Sequence, residues 1–248
     1  MAKSFFRVAL PAFIALVFCF SEQGLAEAEK IRFSASVGMP FSNDENTGFE
    51  DRLTKEMFRR IGRDVEVRFV PAERALINLN DGLDDGALGR VKGVLKNFPG
   101  IVEIPEEAFV RDFVVFTRNA RFVPSDWTSL APYNVGYVNG WKILERNVRD
   151  AKSVVLAADG PQLFELLDRG RVDLVIYNRW GGLQQVRDMG LRGIHLLEPP
   201  LARAPHYFVL NVRHRDLAEP AARALRDMKA DGSYQKIFEE TLAHLARQ

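Results

Sequence analysis

Two segments of this chain share the form L-x-x-G-x-x-D: Leu79-Asn80-Asp81-Gly82-Leu83-Asp84-Asp85 and Leu167-Asp168-Arg169-Gly170-Arg171-Val172-Asp173. Each closes a helical pattern and runs into an apolar stretch. Glycine enters the left-handed conformation without a Cβ penalty, so it caps a helix C-terminus, and a short turn then leads into a buried strand. The same unit used twice predicts two similar α/β lobes. Five residues beyond each closing Asp stands a polar residue, Arg90 in the first copy and Asn178 in the second. If the copies fold alike, these two occupy equivalent places near the C-terminal ends of their strands, where open α/β sheets bind ligands. The pattern therefore predicts a cleft with Arg90 on one wall and Asn178 on the other. Helix, glycine, turn and strand recur throughout α/β proteins, so the repeat bears on fold more directly than on function.

The N-terminus reads as a secretory signal peptide over residues 1–28. Lys3 and Arg7 supply a basic start, Val8 to Phe20 an apolar run interrupted by Pro11, and Ala26-Glu27-Ala28 an A-x-A cleavage pattern. The run is short for a bilayer span, and an uncleaved anchor is the alternative. Cys19, the single cysteine, falls inside this run behind the bulky Phe18, which disfavours lipidation and leaves a mature chain without thiol or disulfide chemistry. The expected location is the periplasm.

The formal net charge is +1 with both signs interspersed, which argues against a nucleic-acid partner. Helical and strand patterns alternate. Strands are expected at Ile31 to Val37, Val65 to Phe69, Ala87 to Arg90, Phe113 to Thr117, Asn134 to Val138, Val154 to Ala157, Val172 to Tyr177, Ile194 to Leu197 and Tyr207 to Leu210. Phe49, Leu53, Met57, Phe58 and Ile61 share a helical face that ends at Gly62, and Pro71 opens a second helix. Further helices are expected near Trp141, Pro161 and Gly181, and two more close the chain. Repeated βα units call for α/β lobes.

Five segments together resemble the bacterial periplasmic solute-binding proteins of the amino-acid type. They are Gly48-Phe49-Glu50-Asp51-Arg52-Leu53, the two L-x-x-G-x-x-D units, Val135-Gly136-Tyr137-Val138-Asn139-Gly140, and Leu225 to Tyr234 with its Met228, Asp231-Gly232 and Tyr234. Their order along most of the mature chain carries the resemblance. It implies the type II periplasmic binding fold: two α/β lobes with central sheets joined by two crossovers. Lobe 1 would comprise residues 29–116 plus 204–248, and lobe 2 residues 117–203. Such a protein is expected to be a monomer that closes over a small molecule by hinge motion and presents it to a membrane permease of the ABC type or to a sensor partner.

In that family an arginine after the third strand grips the ligand carboxylate, because its planar fork makes two parallel charge-assisted bonds. Arg90 is the nearest match, although it stands earlier than usual, within Leu88-Gly89-Arg90-Val91. A surface salt bridge to Asp85 or Glu73 is the alternative use of Arg90. Arg74, beside Glu73, is a second candidate anion partner. Asn178 aligns with an Asp that holds the ligand ammonium in amino-acid binders, and Trp141-Lys142 stands where small hydroxyl residues are usual. Both departures point away from an ordinary α-amino acid, unless an acid such as Glu73 or Asp44 supplies the missing charge. Trp141 and Phe41 are candidate aromatic walls, with packing between the lobes the alternative for Trp141 and core packing for Phe41, and Tyr177 ends a strand at the same cleft unless alternation turns it into the core.

An enzyme on the same fold, of dehydratase type, is the main competing class. The histidines at 195, 206, 214 and 244 fall in no nucleophile signature, and no metal-ligand spacing occurs, so no catalytic residue, metal or cofactor is expected.

Overall fold

The computed structural model describes residues 30–246, and the expected signal peptide lies outside the described residues. Both copies of the repeat fold as one unit. Helix α2 (Ala72–Asn80) ends at Gly82, with φ +76°, and feeds β3 (Gly86–Val91); α4 (Gly160–Asp168) ends at Gly170, with φ +65°, and feeds β8 (Leu174–Asn178). The closing aspartates have a shared task that their spacing did not reveal. Asp85 accepts the backbone N–H of Arg32 at 2.8 Å, and Asp173 accepts that of Asn134 at 2.8 Å. In return the Asp85 N–H donates to the Arg32 carbonyl at 2.9 Å and the Asp173 N–H to the Asn134 carbonyl at 2.8 Å. Each carboxylate thus fixes the start of the parallel strand beside it, β1 (Ile31–Ala35) or β6 (Asn134–Val138).

The two halves are built on one plan. In the first, β1 lies between parallel partners β2 (Val65–Phe69) and β3; in the second, β6 lies between β7 (Ser153–Ala157) and β8. Antiparallel strands β5 (Phe109–Thr117) and β9 (His195–Asn211) are the crossovers. They pair with each other and join the halves along the path β2-β1-β3-β9-β5-β8-β6-β7, with the short β4 (Ile101–Glu103) added beside β9. Parallel strands with helical connections between them must bury both sheet faces, and the cores follow that division. Phe33, Leu53, Phe58, Phe208 and Leu225 belong to one buried cluster, which draws on α1 (Phe49–Arg59), α6 (Arg215–Ala230) and α7 (Ser233–Thr241). Val135, Leu174 and Ile176 belong to a second, and Phe116, Leu163, Phe164 and Val175 to a third on the other face.

The expected strands at Ile194 to Leu197 and Tyr207 to Leu210 are the two ends of the single strand β9. Pairing slips between Phe113↔Ala202 and Val115↔Leu197, which leaves Glu198-Pro199-Pro200-Leu201 outside the ladder. Pro199 and Pro200 fall in that irregularity, where no ladder N–H is required of them. Strand β5 also begins earlier than expected, at Phe109, because the charged pair Arg111-Asp112 is extended like its apolar neighbours.

Candidate functional site

Arg90 owes its position to a β-bulge. Pairing runs Ala87↔Val209 and then Arg90↔Tyr207, so β3 carries one more residue than β9 over this step. Gly89 absorbs the extra residue with φ +34°, and a Cβ there would lie 2.7 Å from Glu50 Oε2. The bulge resets the alternation beyond Ala87 and re-aims the next side chain. Arg90 is consequently buried, at 8% exposure. Its Nη1 donates to Ser36 Oγ at 2.7 Å, but Nε and Nη2 are enclosed without any partner. Those two N–H groups form one edge of the guanidinium, the edge that fits a carboxylate in parallel. Burial pulls the Arg90 pKa down to about 10, with Glu50 opposing and Arg111 assisting. The surface pairing considered for Arg90 does not form: Asp85 binds Arg213 and His214 instead, and Glu73 is exposed.

Arg111, which the sequence pattern did not single out, belongs to the same cluster. It rises from crossover β5, forms an ion pair with the buried Glu50, and lies over the rings of Phe41 at 4.7 Å and Phe109 at 5.4 Å. Its Nε is also enclosed and unpartnered. Burial pushes the Glu50 carboxyl above its usual value, while Arg111 and Arg90 act in the opposite sense. Asp51, the next acid, belongs to a separate set of bonds. It accepts from Ser42 Oγ at 2.7 Å and from the N–H groups of Asn43 and Gly48, closing the start of α1. His206 stacks on Phe109 at 5.2 Å and hydrogen-bonds the Ala204 carbonyl. Burial, then the Arg111 and Arg90 charges, pushes its pKa down to about 3, so its imidazole is neutral. The buried Arg90 and the half-buried Arg111 thus share the field of one carboxylate, and Arg111 makes the direct ion pair with it.

From the second half, Tyr177 reaches the field of Arg111. Burial raises its hydroxyl to about 12, with Arg111 lowering it and Asp159 raising it. Its ring packs against Trp141 at 4.7 Å and edge-on against the core ring of Phe164 at 5.7 Å, so the half-buried Tyr177 rests on the third buried cluster together with Trp141. Trp141, at the start of α3 (Lys142–Asn147), also meets Phe113 edge-on at 5.8 Å. Asn178 is placed otherwise. It is 3% exposed, and its Oδ1 accepts the Gly181 N–H at 2.8 Å as the N-cap of α5 (Arg179–Asp188). Glu73 and Arg74 are exposed on α2 and share no contact with the Arg90 cluster. Of the candidates, Arg90 and Phe41 come together around Arg111, Tyr177 and Trp141 pack on each other in the second half, and Asn178, Glu73 and Arg74 stand outside both sets.

Beside this cluster lies an aromatic cavity of about 180 Å³ whose lining includes Phe41, Phe49, Phe109, Trp180, Tyr234 and Phe238. Trp180 of α5 meets Phe238 of α7 at 5.4 Å across the two halves. On the crossovers, Asp112 accepts from Arg179 Nε at 3.3 Å and from Arg203 Nε at 3.1 Å, and Arg179 continues to Glu198. Among the described residues no His/Cys/Asp/Glu group could hold a metal ion, and no helix is long and apolar enough to cross a membrane.

No family model matches the chain. An uncharacterised protein of Shewanella oneidensis is 26% identical over 249 residues, covering 93% of each chain. Among solved structures, the GluR0 ligand-binding core in complex with L-glutamate is similar at TM-score 0.74 and 14% identity, covering 87% of this chain and 99% of that one. A histidine kinase sensor domain with similarity to periplasmic binding proteins gives 0.70 and 18%, with coverage of 86% and 96%. An ancestral arginine-binding protein bound to glutamine gives 0.67 and 22%, with coverage of 86% and 97%. Two lobes on one plan, joined by two antiparallel crossovers, therefore form the type II periplasmic binding fold that these proteins share.

Proposed function

We propose that this protein is a periplasmic binding protein that captures a small, anionic solute between its lobes and presents the closed form to an ABC-type permease. Residues 29–116 with 204–248 form one lobe and 117–203 the other, and the mature chain acts as a monomer without a cofactor. The observation that carries the reading is the buried Arg90 guanidinium, whose Nε and Nη2 have no partner. An enclosed, unpaired donor costs free energy, and a charged one more so. A carboxylate received on that edge satisfies both N–H groups at once. Trp141 and Tyr177 supply flat apolar surface from lobe 2, whereas Phe41, 2% exposed, packs in the lobe 1 core beneath Arg111. The solute lacks an α-ammonium on this reading: Asn178 is engaged as a helix cap, Glu50 is held by Arg111, and Glu73 lies on the outer face of α2.

A thermal-shift screen of amino acids, organic acids and short peptides tests this, since a ligand that favours the native state raises the melting temperature. Arg90→Ala weakens the ligand found by about 1.5–3 kcal/mol in calorimetry, the scale of a charge-assisted hydrogen bond. Arg74→Ala leaves it unchanged. Micromolar binding of a standard L-amino acid, or loss of binding in Arg74→Ala alone, overturns the assignment. The likeness to a histidine kinase sensor domain favours a second reading, in which the closed form reports to a kinase rather than a permease. Uptake of the identified solute in a deletion strain separates the two: transport fails in the first case and persists in the second.

A further inference from the structure

We infer that Glu50 sets the charge class of the solute: by neutralising Arg111, one of the two clustered arginines, it leaves a site that accepts a monoanion and disfavours a dianion. The inference rests on the anion-binding reading and adds to it the number of charges the site takes.

The argument is one of charge count in an enclosed space. Three charge-bearing groups meet at the cluster, and the ion pair with Arg111 favours the carboxylate form of Glu50 against the upward push of burial. Arg90 and Arg111 are cations, and Glu50, 3% exposed, is the acid in contact with Arg111. His206 faces both arginines as a neutral ring. Asp51 is closed off by Ser42, Asn43 and Gly48 on the far side of the α1 start. Asp159, on the lobe 2 side, is exposed and caps α4 through the Gln162 N–H at 2.9 Å, where water screens it. The sum is one uncompensated positive charge, and it sits where Arg90 Nε, Arg90 Nη2 and Arg111 Nε are enclosed without partners. Charges buried without a partner are costly, so the ligand that completes the site brings one negative charge. A second carboxylate on the ligand would meet Glu50 without a cation of its own.

Gly89 shows that the arrangement is built in. Only a residue without a side chain permits the Glu50 carboxylate to rest against β3, since a Cβ would stand 2.7 Å from Oε2. The same glycine forms the bulge that aims Arg90. One backbone feature therefore places both the cation and the acid that limits it.

The test is a charge cycle read by thermal shift and calorimetry with paired probes, propionate against succinate and benzoate against terephthalate. Wild type responds to the monocarboxylate of a pair more than to the dicarboxylate. In Glu50→Gln the preference moves toward the dicarboxylate by about tenfold or more, the scale of one charge-assisted contact. Arg111→Gln, with no net charge left, loses monocarboxylate binding, and Glu50→Gln combined with Arg111→Gln regains it because the sum returns to one. A purely structural role for the pair cannot produce that recovery. If Glu50→Gln alone does not fold, Arg111→Gln against the double variant carries the same comparison. An Arg90-dependent response whose mono- to dicarboxylate ratio is the same in wild type and Glu50→Gln, or a double variant no better than Arg111→Gln, overturns the role of Glu50 and leaves anion binding standing. Absence of any Arg90-dependent response across the probes overturns the anion reading itself.

Discussion

At the scale of single residues, Asn178 and His206 carry opposite lessons. Asn178 stands at the end of β8, where the repeat places it, yet its carbonyl oxygen is engaged by the Gly181 N–H. Loss of an N-cap costs about 1 kcal/mol. Asn178→Ala therefore lowers the denaturation midpoint by that scale, whereas Asn178→Asp, an equally good cap, leaves stability and affinity for the native solute unchanged. A chemical-denaturation series with calorimetry checks both variants, and a gain in affinity for Asn178→Asp would show the residue to be a ligand contact. His206 is folded in its neutral form, with a pKa near 3 against 6.5 for the free side chain. Between those values the unfolded chain binds a proton that the folded chain does not, so stability falls as pH drops below 6.5, by about 1 kcal/mol at pH 5.5. The loss shows as a steeper acid dependence of the melting temperature than in His206→Gln. Equal slopes would mean the imidazole is protonated in the fold.

At the scale of elements, the two closing aspartates perform one task in different surroundings. Asp85 is buried at 6% and binds Arg32 N–H, Arg213 and His214, whereas Asp173 is exposed and holds the N–H and Nδ2 of Asn134. Burial alone would raise the Asp85 carboxyl, but its hydrogen-bond donors and the Arg213 charge more than offset this and lower it. A depressed carboxyl contributes stability above its unfolded value of 3.8 and loses it as pH falls below that. Breaking the buried network with Asp85→Ala costs about 2–3 kcal/mol, while Asp173→Ala costs about 0.5–1 kcal/mol. Urea unfolding of the two variants side by side is the measurement, and equal costs would refute the distinction. The repeat itself was legible because glycine in a left-handed cap and a short turn are local requirements. The bulge at Gly89 was not, because it is defined by the register of a partner strand more than a hundred residues away.

At the scale of the whole molecule, the crossovers decide what can move. Strands β5 and β9 pair over most of the length of β5, and the slip at Glu198 to Leu201 interrupts that ladder between the halves. Asp112, Arg179, Arg203 and Glu198 bridge the same region, and Trp180 against Phe238 adds an apolar contact across the halves. On the proposed binding role, hinge closure is expected to bend the strands here and bring the Trp141–Tyr177 pair toward Arg111. Saturating the protein with the solute from the thermal-shift screen should lower the radius of gyration in solution scattering. An unchanged profile, with binding confirmed calorimetrically, would show a rigid cleft.

By itself the sequence determined most of the elements, though not β4 or the unity of β9, together with the doubled βα plan and the place of Arg90 at the end of its strand. Periodicity, helix caps and glycine turns act over a few residues and can be read there. Only the tertiary structure decided that Arg111 and Glu50 complete the cluster, that His206 is neutral beneath them, and that Asn178 caps a helix. Arg111 lies in a run that reads simply as a crossover, and Glu50 in a first helical turn where acids are ordinary. Their meeting depends on register between distant strands and on burial, which set the strength of every charge in the cluster.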